Sequence, residues 1–300
     1  MRLLSEKYCQ LPPNKLLEVK GFVYDCNRLN GFESQLHWEC IQNRATDLPC
    51  DFLYYYDNKL IAITCMYHFN IREIEVDILI HPSIKDAYLC IFDDIYKELM
   101  LELKKQPIYS LIFRFHRLNI GLQGCLRDAG ALYKSSDYTL YLTAALLYVS
   151  TRIDYKIATA NDLDDIFLLQ SSCFANTPDV YKNRIEGNLC DNRRKIYLFY
   201  DQRRNYLLGK IHVRKDEHIA VIHDFCVIPA EQHKGYGCEI LKVILPVIFS
   251  TFGKTISLEI ENKNEQLVKL YTKFNFAYSS VLDYWQLSGF RKPEVLLLAK

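Results

Sequence analysis

Two spacings of apolar residues alternate along this chain. Runs alternating with a period near two, such as DFLYYYD, KIYLFYD and LLGKIHVRK, read as strands. Runs with apolar residues three and four apart read as helices. NDLDDIFLLQSSCF carries Leu163, Ile166, Phe167 and Leu169 on such a stripe, with Asn161 or Asp162 near its N-cap. The second half then reads as strand YKIATA, that helix, and a weaker helix over PDVYKNRIEGNL. Paired strands KIYLFYD and LLGKIHVRK follow around QRRNY, then the longer strand HIAVIHDFCVIP, which ends at Pro229. The helix GCEILKVILPVIFSTFG comes next, with Pro246 as an expected kink. Strand TISLEIE, helix NEQLVKLYTKF and a last strand FAYSSVLDYWQL complete the order. This succession predicts an α/β (α+β) protein with a mostly antiparallel mixed sheet flanked by helices.

The order occurs twice. EVDILIHPSIKDAYLCIFDDIYKEL in the first half parallels VIHDFCVIPAEQHKGYGCEILKVIL in the second, with Asp77 on Asp224 and Pro82 on Pro229 at an offset of 147. Further on, NIGLQGCLRDAGA parallels NEQLVKLYTKFNF at an offset of 145, placing Asn119 on Asn264 and Leu122 on Leu267. Upstream, LYYYDNKLIAITCMYH parallels LFYDQRRNYLLGKIHV. Three matched segments in one order predict two copies of one fold, residues 1–147 and 148–300. The copies differ at particular places. Gly235 and Gly237 stand opposite Tyr88 and Cys90, and Tyr271 stands opposite Leu126. Bulk in place of each glycine makes the first copy the degenerate one.

Composition narrows the function without naming it. The 37 basic and 36 acidic residues nearly cancel, so no field favours nucleic acid. RFHRLN, basic and aromatic, falls on a strand of the first copy and reads as sheet. Eleven cysteines include no C-x-x-C pair, which predicts reduced, mostly buried thiols and no metal site. MRLLSEKYCQLPPNK lacks the apolar core of a signal peptide, and TLYLTAALLYV is about half of what a membrane span needs. The expectation is a cytoplasmic protein with no membrane partner, as a monomer or homodimer.

The stretch EQHKGYGCEIL carries the candidate chemistry. Gly235 and Gly237 precede a helix, whose first amides lack internal partners and carry the positive dipole end. Such a loop makes a nest for phosphate. The P-loop pattern fails, because Tyr236-Gly237-Cys238 follows Gly235. The dinucleotide pattern fails too, because Ile240 stands where the third glycine is needed.

DFCVIPAEQHKGYGCEIL resembles the central motif of the GNAT superfamily of acyl-CoA-dependent N-acyltransferases. Val227 and Pro229 close the strand, and Gln232, Gly235 and Gly237 form the loop. Asn264, Leu270, Tyr271 and Phe276 meet a second family motif, which departs at Leu267 and at Asn275, where the family has glycine. Asn tolerates positive φ, so Asn275 can still make that turn. The resemblance covers about Tyr155 to Leu287 and implies acetyl-CoA as co-substrate. It implies that the amides of Gln232, His233, Lys234, Gly235, Tyr236 and Gly237 hold the coenzyme pyrophosphate. Lys234 either adds charge toward phosphate or is a solvated loop lysine, and Gln232 can instead brace the loop. The backbone of Cys226 and Val227 would meet the pantetheine arm and polarise the thioester. Tyr271 would serve the departing thiolate, and Asn264 would touch the coenzyme or cap its helix.

The base stays open. Histone-type relatives use a strand glutamate where this chain has Ile222. His223, Asp224, Glu259 and Glu261 are candidates, with a water chain as the alternative. Strand alternation predicts that only one of His223 and Asp224 faces the cleft. Cys226 reads as a small strand filler rather than an acyl-carrying nucleophile. The implied activity is acetyl transfer to a primary amine on a small molecule, peptide or protein. A non-catalytic acetyl-CoA sensor or partner-binding module is the rival.

Overall fold

The computed structural model describes residues 3–34, 36–43, 50–68, 73–104, 108–144, 152–174, 185–203, 206–253 and 255–289. The order is β1 (Leu4–Tyr8), α1 (Pro13–Asn30), α2 (Trp38–Gln42), β2 (Asp51–Tyr56), β3 (Lys59–Tyr67), β4 (Glu73–Ile80), α3 (Tyr88–Leu103), β5 (Ser110–His116), α4 (Ile120–Asp128) and β6 (Leu132–Leu142). It continues with β7 (Ile153–Ile157), α5 (Leu163–Cys173), β8 (Arg194–Asp201), β9 (Tyr206–Asp216), β10 (Ile219–Val227), α6 (Tyr236–Phe252), β11 (Thr255–Glu261), α7 (Glu265–Thr272) and β12 (Ala277–Ser288).

The chain forms two compact units, residues 1–137 with 280–300, and residues 138–279. The expected junction between 147 and 148 lies outside the described residues. The last strand, expected to close the second copy, instead belongs largely to the first unit. There Leu282–Ser288 of β12 pairs antiparallel with His116–Ser110 of β5. Strand order in that unit is β1-β2-β3-β4-β5-β12, with β4 and β5 parallel. In the second unit it is β6-β11-β10-β9-β8-β7, with β10 and β11 parallel. Leu140 and Leu142 of β6 lie in the second unit's core. The mixed, mostly antiparallel sheets flanked by helices are those the periodicity predicts.

Each unit is held by a helix laid on its sheet. α3 buries Ile91, Ile95 and Leu99, and α6 buries Ile240, Leu241, Ile244, Leu245 and Ile248. Fully burying each such side chain stabilises the fold by about 1.5–3 kcal/mol. Pro246 is accommodated within α6, which runs unbroken through it. α5 follows a short 3-10 turn; Asp162 stands at the N-cap of α5 as expected, and Thr159 caps the turn before it. Thr159 Oγ1 accepts from the Asn161 amide at 3.3 Å, and Asp162 Oδ2 accepts from the Thr159 amide at 2.8 Å. Most of the expected helix over PDVYKNRIEGNL lies outside the described residues.

The internal repeat appears as matched caps and turns. Asn119 Oδ1 accepts from the Leu122 amide and Asn264 Oδ1 from the Leu267 amide, each at 3.2 Å. After these helices Gly130 and Asn275 both take left-handed backbone, at φ 85° and 62°. One register is corrected. α3 starts six residues after Pro82, whereas α6 starts seven residues after Pro229. Ala87, the N-cap of α3, therefore stands where Gly235 caps α6, one residue from the Tyr88 pairing expected from sequence.

Candidate active site

The second unit splits its own sheet. β10 and β11 pair only from Ile219–Ile222 with Thr255–Leu258, although β10 runs on to Val227 and β11 to Glu261. A bulge lies at that point on the other edge of β10, where the register with β9 shifts between His223 and Cys226. Asp224 takes φ 48° there. An extra residue in one strand bends it and increases its twist. Ahead of the parting strands lies a cleft of about 900 Å³, lined by Phe174, His223, Asp224, Phe225, Glu259, Glu261, Asn264 and Tyr271 among others. A second groove of about 540 Å³ shares Phe174, Phe225, Asn264 and Leu267 with it, and runs along Cys226, Val227, Gln232, His233, Gly235 and Gly237.

The loop has the backbone that a phosphate nest needs. His233 and Gly235 both have positive φ, at 61° and 87°. The α6 ladder starts with the Cys238 and Glu239 amides donating to the Gly235 carbonyl, so earlier amides have no acceptor within the helix. A Cβ on Gly235 would meet nothing within 4 Å, so the glycine opens onto free space. A Cβ on Gly237 would come 3.4 Å from Leu270 Cδ2, which is ordinary contact. Packing of α6 on α7 therefore does not require a glycine at 237. Side chains around the nest take other tasks. Gln232 Nε2 donates to the Val227 carbonyl at 2.8 Å and braces the loop. Lys234 ion-pairs with Glu231 at 3.3 Å. Tyr236 is buried, donates to Asp201 Oδ2 at 2.6 Å, and lies under the Arg152 guanidinium. Only its amide faces the loop's task.

The backbone of β10 divides between two neighbours, as alternate strand residues must. The Cys226 carbonyl points at β9, 2.1 Å from where a Cβ of Gly209 would stand. Cys226 thus gives its carbonyl side to the sheet, although the residue also borders the groove. Val227 faces the parting, with its carbonyl taken by Gln232 and approached by Cys173 Sγ at 3.5 Å. The neighbouring Cys173 thiol, together with burial, holds the Cys226 thiol far above the usual range. It remains a protonated filler. Gly209 was not foreseen as a site residue, yet a glycine inside the strand LLGKIHV is itself a signal of close backbone approach.

Tyr271 lies between Phe225 and Phe276, with ring centroids at 6.3 and 5.2 Å. Burial pushes its phenol upward, so it stays protonated at neutral pH. Asn264 caps α7, and its twin Asn119 makes the same cap in the first unit, so capping accounts for it without a ligand. His223 and Asp224 both border the cleft, at the point where the bulge interrupts regular alternation. His223 is nevertheless a poor base. Burial, reinforced by Arg214, pushes it down to about 4.

That depression links His223 to stability. A group depressed on folding contributes its full stability above the unfolded value of 6.5, and this is lost as pH falls toward about 4. Between pH 7 and 4.5, urea unfolding of His223→Gln is expected to lose about 2–3 kcal/mol less stability than the parent protein. Equal losses in the two proteins would show that His223 takes a proton as readily folded as unfolded.

The first unit closes the corresponding places. Asp77, the repeat partner of Asp224, accepts from Arg114 at 3.0 and 2.7 Å and from the Tyr67 hydroxyl at 2.9 Å. Glu75, the partner of Ile222, accepts from Arg114 at 3.3 Å and contacts His37 at 2.6 Å. The Tyr88 ring stands 3.3 Å from where a Cβ of Gly121 would lie, and its hydroxyl reaches Asn119 at 3.3 Å. Among the described residues no group of His, Cys, Asp and Glu could hold a metal ion, and no helix is long and apolar enough to cross a membrane.

Residues 162–276 match the family model of the acetyltransferase (GNAT) family. No curated protein sequence matches the chain significantly. Solved structures share its fold over nearly its whole length. A GCN5-related N-acetyltransferase from Sphaerobacter thermophilus superposes with a TM-score of 0.79 at 10% identity, covering 95% of each chain. A tandem GNAT protein from the clavulanic acid biosynthesis pathway gives 0.71 at 12% identity, covering 97% of this chain and 100% of that one. A GNAT-family acetyltransferase from Colwellia psychrerythraea gives 0.66 at 13% identity, covering 95% and 99%. These likenesses show that the chain has a tandem GNAT fold, of which residues 162–276 match the acetyltransferase (GNAT) family model.

Proposed function

We propose that the second unit transfers an acetyl group from acetyl-CoA to a primary amine by direct attack. One observation carries this reading. The nest at His233–Gly237 opens into a groove that shares its walls with the cleft holding Asp224 and Tyr271. A coenzyme with its pyrophosphate on the loop amides would lay its thioester at the parting of β10 and β11. The Val227 amide is the backbone donor there and can polarise the thioester carbonyl. Asp224 takes the proton that an alkylammonium must lose before it attacks. The freed amine then forms the C–N bond as the C–S bond breaks, the second proton that the nitrogen sheds passes to the departing thiolate, and the Tyr271 hydroxyl stabilises that thiolate as it leaves. A tyrosine held protonated is suited to that last step.

Free thiol is the readout. Mixing the protein with acetyl-CoA and a panel of small-molecule, peptide and protein amines is expected to release coenzyme A with at least one acceptor. Thermal stabilisation by acetyl-CoA with no release from any acceptor would favour a binding module, and no stabilisation would sink both readings. Tyr271→Phe is expected to keep acetyl-CoA affinity and lower kcat by about 10–100-fold. An unchanged kcat would reduce Tyr271 to a packing residue.

A further inference from the structure

Behind Asp224 stands a line of buried polar side chains that the proposed chemistry does not use. His212 Nδ1 lies 3.3 Å from Asp224 Oδ2. Lys210 Nζ lies 3.3 Å from His212 Nε2 and 2.8 Å from Gln170 Oε1. Lys210 is 0% exposed and His212 7%. An ammonium is among the most costly groups to bury, and an aliphatic side chain would fill the space without that penalty. Packing alone therefore does not explain a lysine there.

The chemistry of the atoms fixes the direction of the line. An ammonium only donates. Facing Lys210, His212 Nε2 must accept, so the ring proton sits on Nδ1 and points at the Asp224 carboxylate. Gln170 presents its oxygen to the same ammonium and completes the far end. The result is a polarised series running from a buried cation through a neutral imidazole to a carboxylate in the cleft.

We infer that Lys210 and His212 are positioning residues, which keep Asp224 ionised and aimed into the cleft as the base for the acceptor amine. This rests on the acetyl-transfer reading above. Burial lowers the affinity of Lys210 for its proton, and Asp224, Cys226 and Cys173 offset only part of that. Other groups bear on Asp224. Arg214, paired with Asp216 at 2.6 Å, and Arg194 come from β9 and β8 and act on its neighbour His223. His223 adjoins it on β10. From β11, Glu259 and Glu261 line the same cleft, with Lys263 paired to Glu261 at 3.1 Å. α5 presents Gln170 and Cys173. Of these cations, Lys210 is the one reached through His212.

The test compares the parent protein with Lys210→Met and His212→Phe. With an accepted amine, the acid limb of the kcat/KM profile is expected to move up by about one pH unit in Lys210→Met, because a carboxylate losing a nearby cation binds its proton more tightly. At pH 7 kcat/KM should fall about tenfold, with acetyl-CoA affinity unchanged within twofold. His212→Phe should show the same upward shift. A limb that stays put or moves down in Lys210→Met, at unchanged acetyl-CoA affinity, overturns the inference. A second measurement needs no turnover. The long-range proton–nitrogen NMR spectrum of the parent protein should show His212 neutral with its proton on Nδ1; a proton on Nε2 overturns the inference. Absence of thiol release by the parent with every amine would instead sink the acetyl-transfer reading, and the tautomer would still decide whether the polarised series exists.

Discussion

Gly235→Glu is expected to abolish acetyl-CoA binding, with Kd raised at least a thousandfold in calorimetric titration. Two effects add. At φ 87° any residue with a Cβ is strained, by about 1–2 kcal/mol. The larger effect is electrostatic. The space beyond Gly235 is open within 4 Å, so the new side chain enters the groove instead of displacing protein. A carboxylate about 4 Å from a phosphate charge opposes it by about 4 kcal/mol at the effective dielectric of a protein surface. The sum corresponds to several thousandfold in affinity. Gly235→Asn separates the two effects, since asparagine tolerates left-handed backbone and adds no charge. It should retain folding and weaken binding by about tenfold. Retained affinity in Gly235→Glu would refute the assignment of the loop to pyrophosphate.

The repeat and the loop were legible because each depends on local backbone chemistry. Asn119 and Asn264 cap helices through contacts three residues away, and Gly130 and Asn275 end them with a local turn. Such features leave fixed spacings in the chain. The capping of α6 by Gly235 is of the same kind. Its counterpart in the first unit was misplaced by one residue because loop length, not residue type, decides it. From Pro82 the loop is one residue shorter, so a pattern aligned on the prolines drifts before the helix begins.

Long-range features were not legible in the same way. Nothing in FAYSSVLDYWQL states which sheet edge it will join, because strand pairing is chosen by partners far away in sequence. Asp283, inside that strand, accepts from Arg117 at 2.9 Å and from Ser136 Oγ at 2.6 Å. These are partners within the first unit that could be matched to Asp283 only after folding. The division of duty between His223 and Asp224 was hidden for a related reason. Regular alternation sends them to opposite faces, and the bulge at Asp224 suspends that rule. Lys210 and His212 were passed over because a lysine and a histidine in a strand ordinarily read as its solvated face. Only the cover provided by α5, with Gln170 and Phe174 over the Lys210 ammonium, makes them interior groups.

Gly209→Ala is expected to damage the second unit more than its size suggests. The added Cβ would stand 2.1 Å from the Cys226 carbonyl oxygen, 3.1 Å from its carbon and 3.2 Å from Val227 Cα. All three are backbone atoms and cannot rotate away. The β9–β10 ladder must move apart just where its register shifts, and the two strands carry His212 and Asp224. Overpacking a well-filled interior commonly costs about 1–3 kcal/mol, and an obstruction by backbone belongs at or above the top of that range. For a unit of this size, a loss of about 3 kcal/mol lowers Tm by about 10 °C. Gly187→Ala is the control, because its Cβ would meet nothing within 4 Å and its φ is not left-handed. It should leave Tm unchanged within about 2 °C. Thermal melts of the two variants decide the matter. If Gly209→Ala melts with its control, the ladder yields easily and the glycine is not what permits the bulge. If it melts early and also loses thiol release at temperatures where it remains folded, the close packing of β9 against β10 is part of the catalytic geometry, through the bulge at Asp224 or the Val227 amide beside the new Cβ.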